Sequence, residues 1–305
     1  MDHFKIRDAS SYNAVAEPFD RFTKIVTNPL ARTLIHLAQL RPGDNIIDIG
    51  TGSGIVALNA AESSASVRVT GIDLSGGLLS LAGFNSAQTG VTERVRFAIA
   101  DAEALPFRDS SYDAAVSLFA LLHFPHPDRA LAEMYRVLKP GGRLAIGIGS
   151  GPPWNTLQGW LHRFGRIRDL VHLKTGRLLI AQAHLNRIVA EYVPANDAAE
   201  ETELAQHRGT RASGAVSLVR QLGLTDLQTR WEGHHLVLDD AQQFWELQTT
   251  FSSFSRKRLE SATEAQARTV RRHFDRECQR VLARGGKLVY HYAAYYISGR
   301  RPLNA

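Results

Sequence analysis

A strand, a tight turn and the start of a helix follow one another within residues 45–58. A mostly apolar run leads into a Gly-x-Gly-x-Gly turn made by Gly50, Gly52 and Gly54, and a helical pattern follows at once. Glycine adopts the positive φ angles that such a turn needs and leaves room for a ligand beside the backbone. Unpaired N–H groups at the helix start offer donors to that ligand. The stretch therefore predicts a ligand-binding turn, and the rest of the chain decides which ligand it accepts.

The alternation of strand and helix continues through the first half of the chain. Further strand patterns lie at residues 67–73, 94–99, 112–119 and 143–148, with helical patterns or loops between them. This spacing predicts βαβ units and a parallel sheet with both faces covered by helices. Two later strand patterns, at residues 227–238 and 287–298, are expected to pair antiparallel at one edge of the sheet.

Composition limits the class of protein and its compartment. The 305 residues are 44% hydrophobic and 22% charged, which is ordinary for a globular protein. The net charge of +6 permits an acidic partner without requiring one. Cys278 is the only cysteine, so we expect no internal disulfide and no metal site. The sequence has no signal peptide and no apolar run of about 18 residues, which predicts a cytoplasmic protein without a membrane span.

Acidic residues end the two strands that follow the glycine turn. Ligands of parallel sheets bind beyond the carboxyl ends of the strands. Asp73 ends the second strand, 19 residues after Gly54, and an ionised carboxylate there can accept two hydrogen bonds from a ribose diol. Asp101 follows the third strand, where its carboxylate can accept from an adenine amino group. Three neighbouring strand ends therefore predict a nucleoside site.

Each of these residues also has a purely structural interpretation. The glycines can simply turn a strand into a helix, Asp73 can cap the following helix, and Asp101 can shape a turn. The nucleoside interpretation is favoured because all three features coincide at one edge of the predicted sheet.

The position of Asp48 distinguishes between nucleotide cofactors. Dinucleotide folds use a Gly-x-Gly-x-x-Gly turn and direct the helix start at a pyrophosphate. This chain has the shorter Gly-x-Gly-x-Gly spacing, and Asp48 lies two residues before the first glycine. A carboxylate is unfavourable beside a pyrophosphate but suits an ammonium or sulfonium group. The pattern therefore favours S-adenosylmethionine over a nicotinamide dinucleotide.

Five short motifs occur in order along the first half of the chain. They are Asp48-Ile-Gly-Thr-Gly-Ser-Gly54, Gly71-Ile-Asp-Leu-Ser75, Asp101-Ala-Glu-Ala-Leu-Pro-Phe107, Tyr112-Asp-Ala-Ala-Val116 and Leu138-Lys-Pro-Gly-Gly-Arg-Leu144. The set resembles the motifs of class I S-adenosylmethionine-dependent methyltransferases, in particular the small-molecule enzymes of the ubiquinone and menaquinone biosynthesis type. The resemblance implies an α/β, Rossmann-like, doubly wound sheet of seven strands, mostly parallel with an antiparallel last strand, and a helical lid insertion.

The resemblance also implies which residues contact the cofactor. They are Tyr12, which closes over it, Asp48, Gly50, Thr51 and Gly52 at the methionine part, Asp73 and Leu74 at the ribose, Asp101 and Ala102 at the adenine, and Ser117, Leu118 and Phe119 at the sulfonium. Thr51 stands where the family commonly has cysteine. The fourth strand ends without an Asn-Pro-Pro-Tyr motif, which disfavours transfer to DNA bases or protein amides.

The chain is predicted to divide into four parts. Helices over residues 1–44 cover the cofactor site, and residues 45–150 form the S-adenosylmethionine-binding core. Residues 151–210 break the strand–helix rhythm and are predicted to form a helical insertion that acts as a substrate lid. Residues 211–305 return to the sheet and add substrate-cap helices over 239–283.

Candidate residues for catalysis and for substrate binding are less sharply marked. His123 follows the fourth strand beside the expected methyl donor, and histidine is suited to take a proton near neutral pH. It is our candidate for a base or a substrate contact, although packing against the loop or hydrogen bonding to it is the more common role of such a histidine. The aromatic residues Trp154, Trp160, Phe164 and Trp245 are candidates for the walls of a substrate pocket.

The favoured function is methyl transfer to an oxygen, nitrogen or carbon atom of a small metabolite, in secondary-metabolite biosynthesis. RNA methylation is an alternative because the chain is basic, but the basic residues are scattered and no RNA-binding module is visible. A protein that retains the cofactor without methylating, such as a cyclase, is a further alternative, and a nicotinamide-dependent dehydrogenase is a distant one. We expect a small-molecule substrate, no nucleic-acid partner, and a monomer or homodimer.

Overall fold

A computed structural model of the chain describes residues 3–152, 156–161, 169, 173, 175–194 and 212–304. The predicted residues Trp154 and Phe164 lie outside the described residues. The chain groups into two compact units. The first comprises Met1–Ser150, Ala205–Glu232 and Ala294–Ala305, and the second comprises Gly151–Leu204 and Gly233–Ala293.

The elements of the described residues are as follows. The strands are β1 (Asn45–Ile49), β2 (Arg68–Asp73), β3 (Val95–Ile99), β4 (Tyr112–Leu118), β5 (Leu138–Ile148), β6 (Leu178–Ile180), β7 (Thr225–Leu238) and β8 (Lys287–Arg300). The helices are α1 (His3–Asn13), α2 (Ala16–Val26), α3 (Asn28–Ala38), α4 (Ile55–Glu62), α5 (Gly76–Gln88), α6 (Pro127–Val137), α7 (Ala181–Tyr192), α8 (Ala212–Gln221), α9 (Ala241–Phe251), α10 (Ser253–Glu260) and α11 (Glu264–Ala283). A 3₁₀ helix, Ala120–His123, follows β4.

The sheet has the strand order β3-β2-β1-β4-β5-β8-β6, with β7 also paired to β8. Strands β1 to β5 pair in parallel, and β5 pairs antiparallel with β8 from Arg143↔Arg300 to Ile148↔Tyr295. The three isoleucines of β1 are fully buried, as expected for the centre of a parallel sheet covered on both faces. The predicted α/β, doubly wound fold with an antiparallel last strand is therefore confirmed.

The sheet of the described residues has eight strands rather than the seven predicted. The additional strand is β6, which pairs in parallel with the first residues of β8. Its three residues lie in the segment predicted to be helical. The run Leu178-Leu-Ile180 is apolar and too short for its periodicity to separate strand from helix, and the partner strand decides the outcome.

In the second unit, the helices α9, α10 and α11 each begin after a polar side chain that caps the helix start. The side chains of Asp240, Ser252 and Thr263 accept hydrogen bonds from the first-turn N–H groups of Gln242, Ser255 and Gln266. Such caps satisfy backbone donors that have no partner within the helix. Local sequence therefore sets where these helices start, while their apolar residues, such as the fully buried Phe244 and Phe274, set which face packs. No helix among the described residues is long and apolar enough to cross a membrane.

A buried ion pair supports the sheet just before β1. Arg143 on β5 donates to the carboxylate of Asp44, which also accepts from the N–H of Arg41 at 2.8 Å. The side chains of Arg143 and Asp44 are only 6% and 12% exposed. Removing one partner of such a pair leaves a charge that is buried without compensation.

We expect Asp44→Ala to lower the free energy of unfolding by about 3–5 kcal/mol, because it leaves the Arg143 guanidinium unpaired in the protein interior. The matched control is Asp109→Ala, which removes another Arg–Asp pair in which the aspartate side chain is 75% exposed, and about 0–1 kcal/mol is expected there. Urea unfolding followed by circular dichroism measures both. Equal losses for the two variants would contradict the structural role of Asp44.

Candidate active site

The glycine turn after β1 adopts the geometry expected from its sequence. Gly50, Gly52 and Gly54 have φ angles of 69°, 56° and 90°, which side-chain-bearing residues rarely adopt. A Cβ atom on Gly50 would clash with the Cβ of Ala120, so the turn packs directly beneath the 3₁₀ helix. The carboxyl ends of β1 and β4 are therefore in direct contact at this edge of the sheet.

Asp48 lies beneath this turn with one carboxylate oxygen unpaired. The residue is 0% exposed, and its Oδ2 accepts a hydrogen bond of 2.6 Å from the Thr51 hydroxyl. Oδ1 is buried and has no hydrogen-bond partner among the described residues. Burial raises the pKa of Asp48 to about 7, although the Thr51 hydroxyl and the Ala57 N–H at the start of α4, which also faces the carboxylate, oppose the shift. A buried carboxylate with a free acceptor oxygen is a ready site for a cationic group.

Thr51 reaches Asp48 because β2 carries a glycine opposite it. A Cβ on Gly71 would lie 2.7 Å from the Thr51 Oγ1, so a side chain there would displace the hydroxyl. Sequence reasoning counted Thr51 as a tolerated replacement of cysteine. The structure gives it a specific part, which is to hold the orientation of the Asp48 carboxylate.

The Asp73 carboxylate links the glycine turn to the start of α5. Its Oδ2 accepts from the N–H of Gly52 and its Oδ1 from the N–H of Ser75, both at 2.9 Å. The helix-capping interpretation and the ligand-binding interpretation are thus compatible, because each carboxylate oxygen has a second lone pair. Burial raises the pKa of Asp73, and these backbone donors oppose that shift. Leu74 follows in the same loop and is partly buried.

The Asp101 carboxylate is held by a cation that the sequence did not reveal. Lys5 of α1 donates to Oδ1 and Oδ2 at 3.0 and 2.9 Å, and it also pairs with Glu103 at 2.6 Å. Burial is the largest single influence and opposes ionisation of Asp101. The hydrogen bonds from Lys5 and from the Glu103 N–H, together with the positive charge of Lys5, outweigh it and lower the pKa of the carboxyl group. The proposed adenine contact of Asp101 and the buried Ala102 stays a prediction, and Asp101 would serve Lys5 at the same time.

The end of β4 is bound to the end of β1 by a side chain. The hydroxyl of Ser117, which is 0% exposed, donates to the Ile49 carbonyl at 2.8 Å. Leu118 is also buried, and Phe119 has a φ angle of 64° that turns the chain into the 3₁₀ helix. The Ser117 hydroxyl thus uses its proton within the sheet and keeps its acceptor lone pairs, and its predicted contact with the sulfonium stays a prediction.

Two residues of α1 meet His123 at the end of this 3₁₀ helix. The Nδ1 atom of His123 lies 3.1 Å from Asp8 Oδ2, and its Nε2 atom lies 3.4 Å from the hydroxyl of Tyr12. The Tyr12 ring packs edge-on against both His123 and Phe19, with centroids 5.5 Å apart in each case. The predicted residues Tyr12 and His123 are therefore brought together, and Asp8 joins them.

The predicted substrate-wall residues that the structure describes belong to the second unit. Trp160 is 54% exposed. Trp245 packs edge-on against Phe274 with centroids 5.0 Å apart, and the Arg271 guanidinium lies 4.9 Å from its ring centroid. These contacts explain how Trp245 is held within its own unit. A role of either tryptophan toward a substrate stays a prediction.

Sequence reasoning missed Lys5 and Asp8, although the spacing of α1 contains a signal for them. Lys5, Asp8 and Tyr12 are separated by three and four residues, which places them on one face of a helix. Lys5 and Asp8 are only 8% and 6% exposed. Charged residues are rarely buried unless they are paired, so such a stripe indicates partners elsewhere in the fold.

The residues of this edge fit S-adenosylmethionine. The unpaired Oδ1 of Asp48 suits the ammonium group of a methionine moiety. The oxygen needs a hydrogen-bond donor and a compensating positive charge, and an ammonium group supplies both. The lone pairs left on Asp73 suit the two hydroxyls of a ribose. A pyrophosphate would place further negative charge next to Asp48 and Asp73, which argues against a dinucleotide.

Comparison with known proteins agrees with this chemistry. Residues 47–146 match the family described as a methyltransferase domain. The ubiquinone/menaquinone biosynthesis C-methyltransferase of Brucella abortus (strain S19) is 40% identical over 104 residues, which is 34% of this chain and 39% of that enzyme. The corresponding enzyme of Geotalea daltonii is 34% identical over 140 residues, or 44% of this chain and 60% of that one. The similarity thus spans less than two thirds of either relative.

Solved structures share the fold over most of the chain. A putative methyltransferase of Bacillus halodurans superposes with a TM-score of 0.55 and 19% identity, covering 89% of this chain and 98% of that one. The [4+2]-cyclase SpnF superposes with a TM-score of 0.51 and 21% identity, covering 90% and 82%. At these identities the likeness concerns the fold alone. With the family match, residues 47–146 form a methyltransferase domain, which agrees with the predicted resemblance.

We expect the affinity for S-adenosylmethionine to be about tenfold weaker at pH 5.5 than at pH 7.5, a range below the usual pKa of an α-amino group. The cofactor ammonium favours ionised Asp48, whose pKa is raised to about 7, so protonation below that pH competes with binding. Because the pKa of Asp73 is raised too, the decisive comparison is Asp48→Asn, which should bind weakly and lose most of the pH dependence. Isothermal titration calorimetry measures both proteins. An equally steep pH dependence in Asp48→Asn would contradict the assignment.

Proposed function

We propose that this chain transfers a methyl group from S-adenosylmethionine to a small-molecule metabolite. The observation that carries the proposal is the buried Asp48 carboxylate under the glycine turn, with one oxygen held by Thr51 and the other left without a partner. Such an oxygen is costly in a folded protein unless a ligand completes it. A donor-rich cation at this point meets that requirement.

The other residues of the strand ends would hold the remaining parts of the cofactor. Gly50 and Gly52 admit the methionine part close to the backbone, and Asp73 with Leu74 receives the ribose. Asp101 and Ala102 lie at the adenine end. The residues Ser117, Leu118 and Phe119 would line the sulfonium side through the turn that follows β4.

S-adenosylmethionine supplies an electrophilic methyl group on a sulfonium. The contribution of the protein is to place an acceptor in line with that group, and well-oriented groups reach effective molarities of about 10⁵ M or more. The turn at Gly50 and the 3₁₀ helix are in contact, so the elements that would hold donor and acceptor share a rigid edge. His123 on that 3₁₀ helix is our candidate for the base.

The small-molecule acceptor is inferred from the curated relatives and from the absence of an Asn-Pro-Pro-Tyr motif after β4. The relatives are named as C-methyltransferases of quinone biosynthesis, and their similarity to this chain covers 34% and 44% of it. We therefore propose a different acceptor, a secondary metabolite, rather than the quinone precursors of those enzymes.

The direct test incubates the protein with S-adenosylmethionine labelled in its methyl group and with fractionated metabolite or RNA extracts. We expect S-adenosylhomocysteine to form, with label in a low-molecular-weight product found by mass spectrometry. Label in RNA alone would favour the RNA alternative. Tight cofactor binding without any S-adenosylhomocysteine would favour a protein that keeps the cofactor for another purpose.

We expect Asp73→Ala to weaken cofactor binding by about 1–3 kcal/mol, because it removes charge-assisted acceptors for the ribose and frees two backbone donors. Asp73→Asn keeps one acceptor oxygen and should lose less affinity. Glu17→Gln removes an exposed carboxylate of α2 and serves as the control, with no change expected. Calorimetric titration at a single pH measures all three. Full affinity in Asp73→Ala would refute the ribose assignment.

A further inference from the structure

Helix α1 presents one polar face to the edge of the sheet that carries the proposed cofactor site. Lys5, Asp8 and Tyr12 lie on this face, and each contacts a residue that follows the end of a strand. Lys5 binds Asp101 after β3, while Asp8 and Tyr12 bind His123 after β4. Asn13 adds a further attachment, since its side-chain oxygen accepts from the Ser75 hydroxyl at 2.7 Å and from the Gly77 N–H at 3.0 Å.

The contact with Asp8 determines the tautomer of neutral His123. An ionised carboxylate can only accept hydrogen bonds, so the proton of the imidazole must be on Nδ1, 3.1 Å from Asp8 Oδ2. Nε2 then carries the lone pair. The Tyr12 hydroxyl, 3.4 Å away, is consequently the donor to Nε2. This order of donors and acceptors leaves a basic nitrogen facing a hydroxyl group.

His123 lies next to the residues of the proposed cofactor site. The 3₁₀ helix that carries it packs against Gly50, and the Asp73 carboxylate is close enough to interact with the imidazole electrostatically. The charged and titratable groups that face the imidazole are thus Asp8 and Tyr12 from α1 and Asp73 from the end of β2. The Asp8 carboxylate lies on the nitrogen opposite to the one that would accept a proton, where negative charge stabilises the imidazolium that forms.

We propose that Asp8 is the positioning residue of a His123 base, and that the methyl acceptor carries a hydroxyl group which replaces the Tyr12 hydroxyl at Nε2. This inference rests on the function proposed above. The acceptor oxygen forms a bond to the methyl carbon while the carbon–sulfur bond breaks and its electron pair stays on sulfur. The hydroxyl proton passes to Nε2 of His123, and the negative charge of the Asp8 carboxylate balances the positive charge of the imidazolium that forms.

A base of this kind serves an acceptor that must lose a proton, which is true of a hydroxyl group and of a carbon acid but not of a neutral amine. A neutral amine already offers a lone pair, whereas an alcohol or phenol becomes a strong nucleophile only as its proton leaves. The Tyr12 phenol places a hydroxyl group of an aromatic ring 3.4 Å from Nε2, which favours a hydroxyl over a carbon acceptor at this nitrogen. The structure therefore points to O-methylation, most directly of a phenol.

The first test measures the tautomer of His123 and needs no acceptor. Protein labelled with ¹⁵N-histidine is examined by long-range ¹H–¹⁵N NMR at about pH 8, above the ordinary titration range of histidine. The His123 signals are assigned by their loss in His123→Gln. We expect the proton on Nδ1 in the wild type and in Tyr12→Phe, which keeps Asp8. Asp8→Asn should give a mixture of tautomers, because an amide can either accept from Nδ1 or donate to it.

A proton on Nε2 in the wild type, or an unchanged tautomer in Asp8→Asn, would overturn the positioning role. A role of Asp8 limited to folding would not produce this pattern. Circular dichroism and the affinity for S-adenosylmethionine show whether each variant is folded. If Asp8→Asn is misfolded, Asp8→Glu replaces it in the test, because it keeps a carboxylate at this position.

The second test uses labelled S-adenosylmethionine with a panel of phenols and alcohols and a matched panel of amines. We expect methylation of the hydroxyl compounds, with kcat about 10- to 100-fold lower in Asp8→Asn and little change in KM or in cofactor affinity. Asp8→Glu should recover part of the loss. Adding Asp8→Asn to His123→Gln should cause no further loss, because the two residues act as one unit.

The outcomes separate this inference from the proposed function. Methylation of amines alone, or an unchanged kcat in Asp8→Asn, would refute the hydroxyl acceptor or the role of Asp8 while methyl transfer itself stands. A wild-type protein that binds no S-adenosylmethionine would refute the proposed function. Glu17→Gln, which removes an exposed charge from the neighbouring α2, should match the wild type in both tests.

Discussion

The burial of one carboxylate, that of Asp48, shapes the whole edge of the sheet. An ionised acid in a protein interior is tolerated only when its oxygens are paired, and here the fold pairs one of them. Gly71 leaves space for the Thr51 hydroxyl that binds Oδ2, while Gly50 lets the turn pass beneath Ala120 and closes the site from the β4 side. Burial keeps the pKa of Asp48 raised to about 7, so the site favours a proton until a cation takes its place.

The sequence predicted two kinds of feature. One kind depends on residues that are close in the chain, and the other repeats at regular intervals along it. The glycine turn and the Asp73 cap of α5 are of the first kind, the alternation of strands and helices is of the second, and the structure contains them. Lys5 and Asp8 were missed because their partners lie 96 and 115 residues away. A helical stripe shows that a face is buried, but not against which strand end it packs.

The strand β6 illustrates a different limit of sequence reasoning. Three apolar residues followed directly by a helix fit either state, and only the free edge of β8 makes the strand favourable. The predicted substrate residues meet the same limit, since an exposed Trp160 and a Trp245 held by Arg271 look alike in a sequence pattern. Residues that contact a bound molecule are therefore harder to predict from the sequence than residues that set the backbone geometry.

Helix α1 ties catalytic geometry to local folding. An isolated helix of its length, 11 residues, is marginal in water, so tertiary contacts must stabilise it. Those contacts are mainly polar, namely Lys5 with Asp101 and Glu103, Asp8 with His123, and Asn13 with the start of α5. Buried ion pairs contribute little net stability but impose strict geometry, because any other arrangement leaves a charge unpaired. The same bonds that order α1 therefore place Asp8 on Nδ1 of His123, and the base is oriented only when the helix is docked.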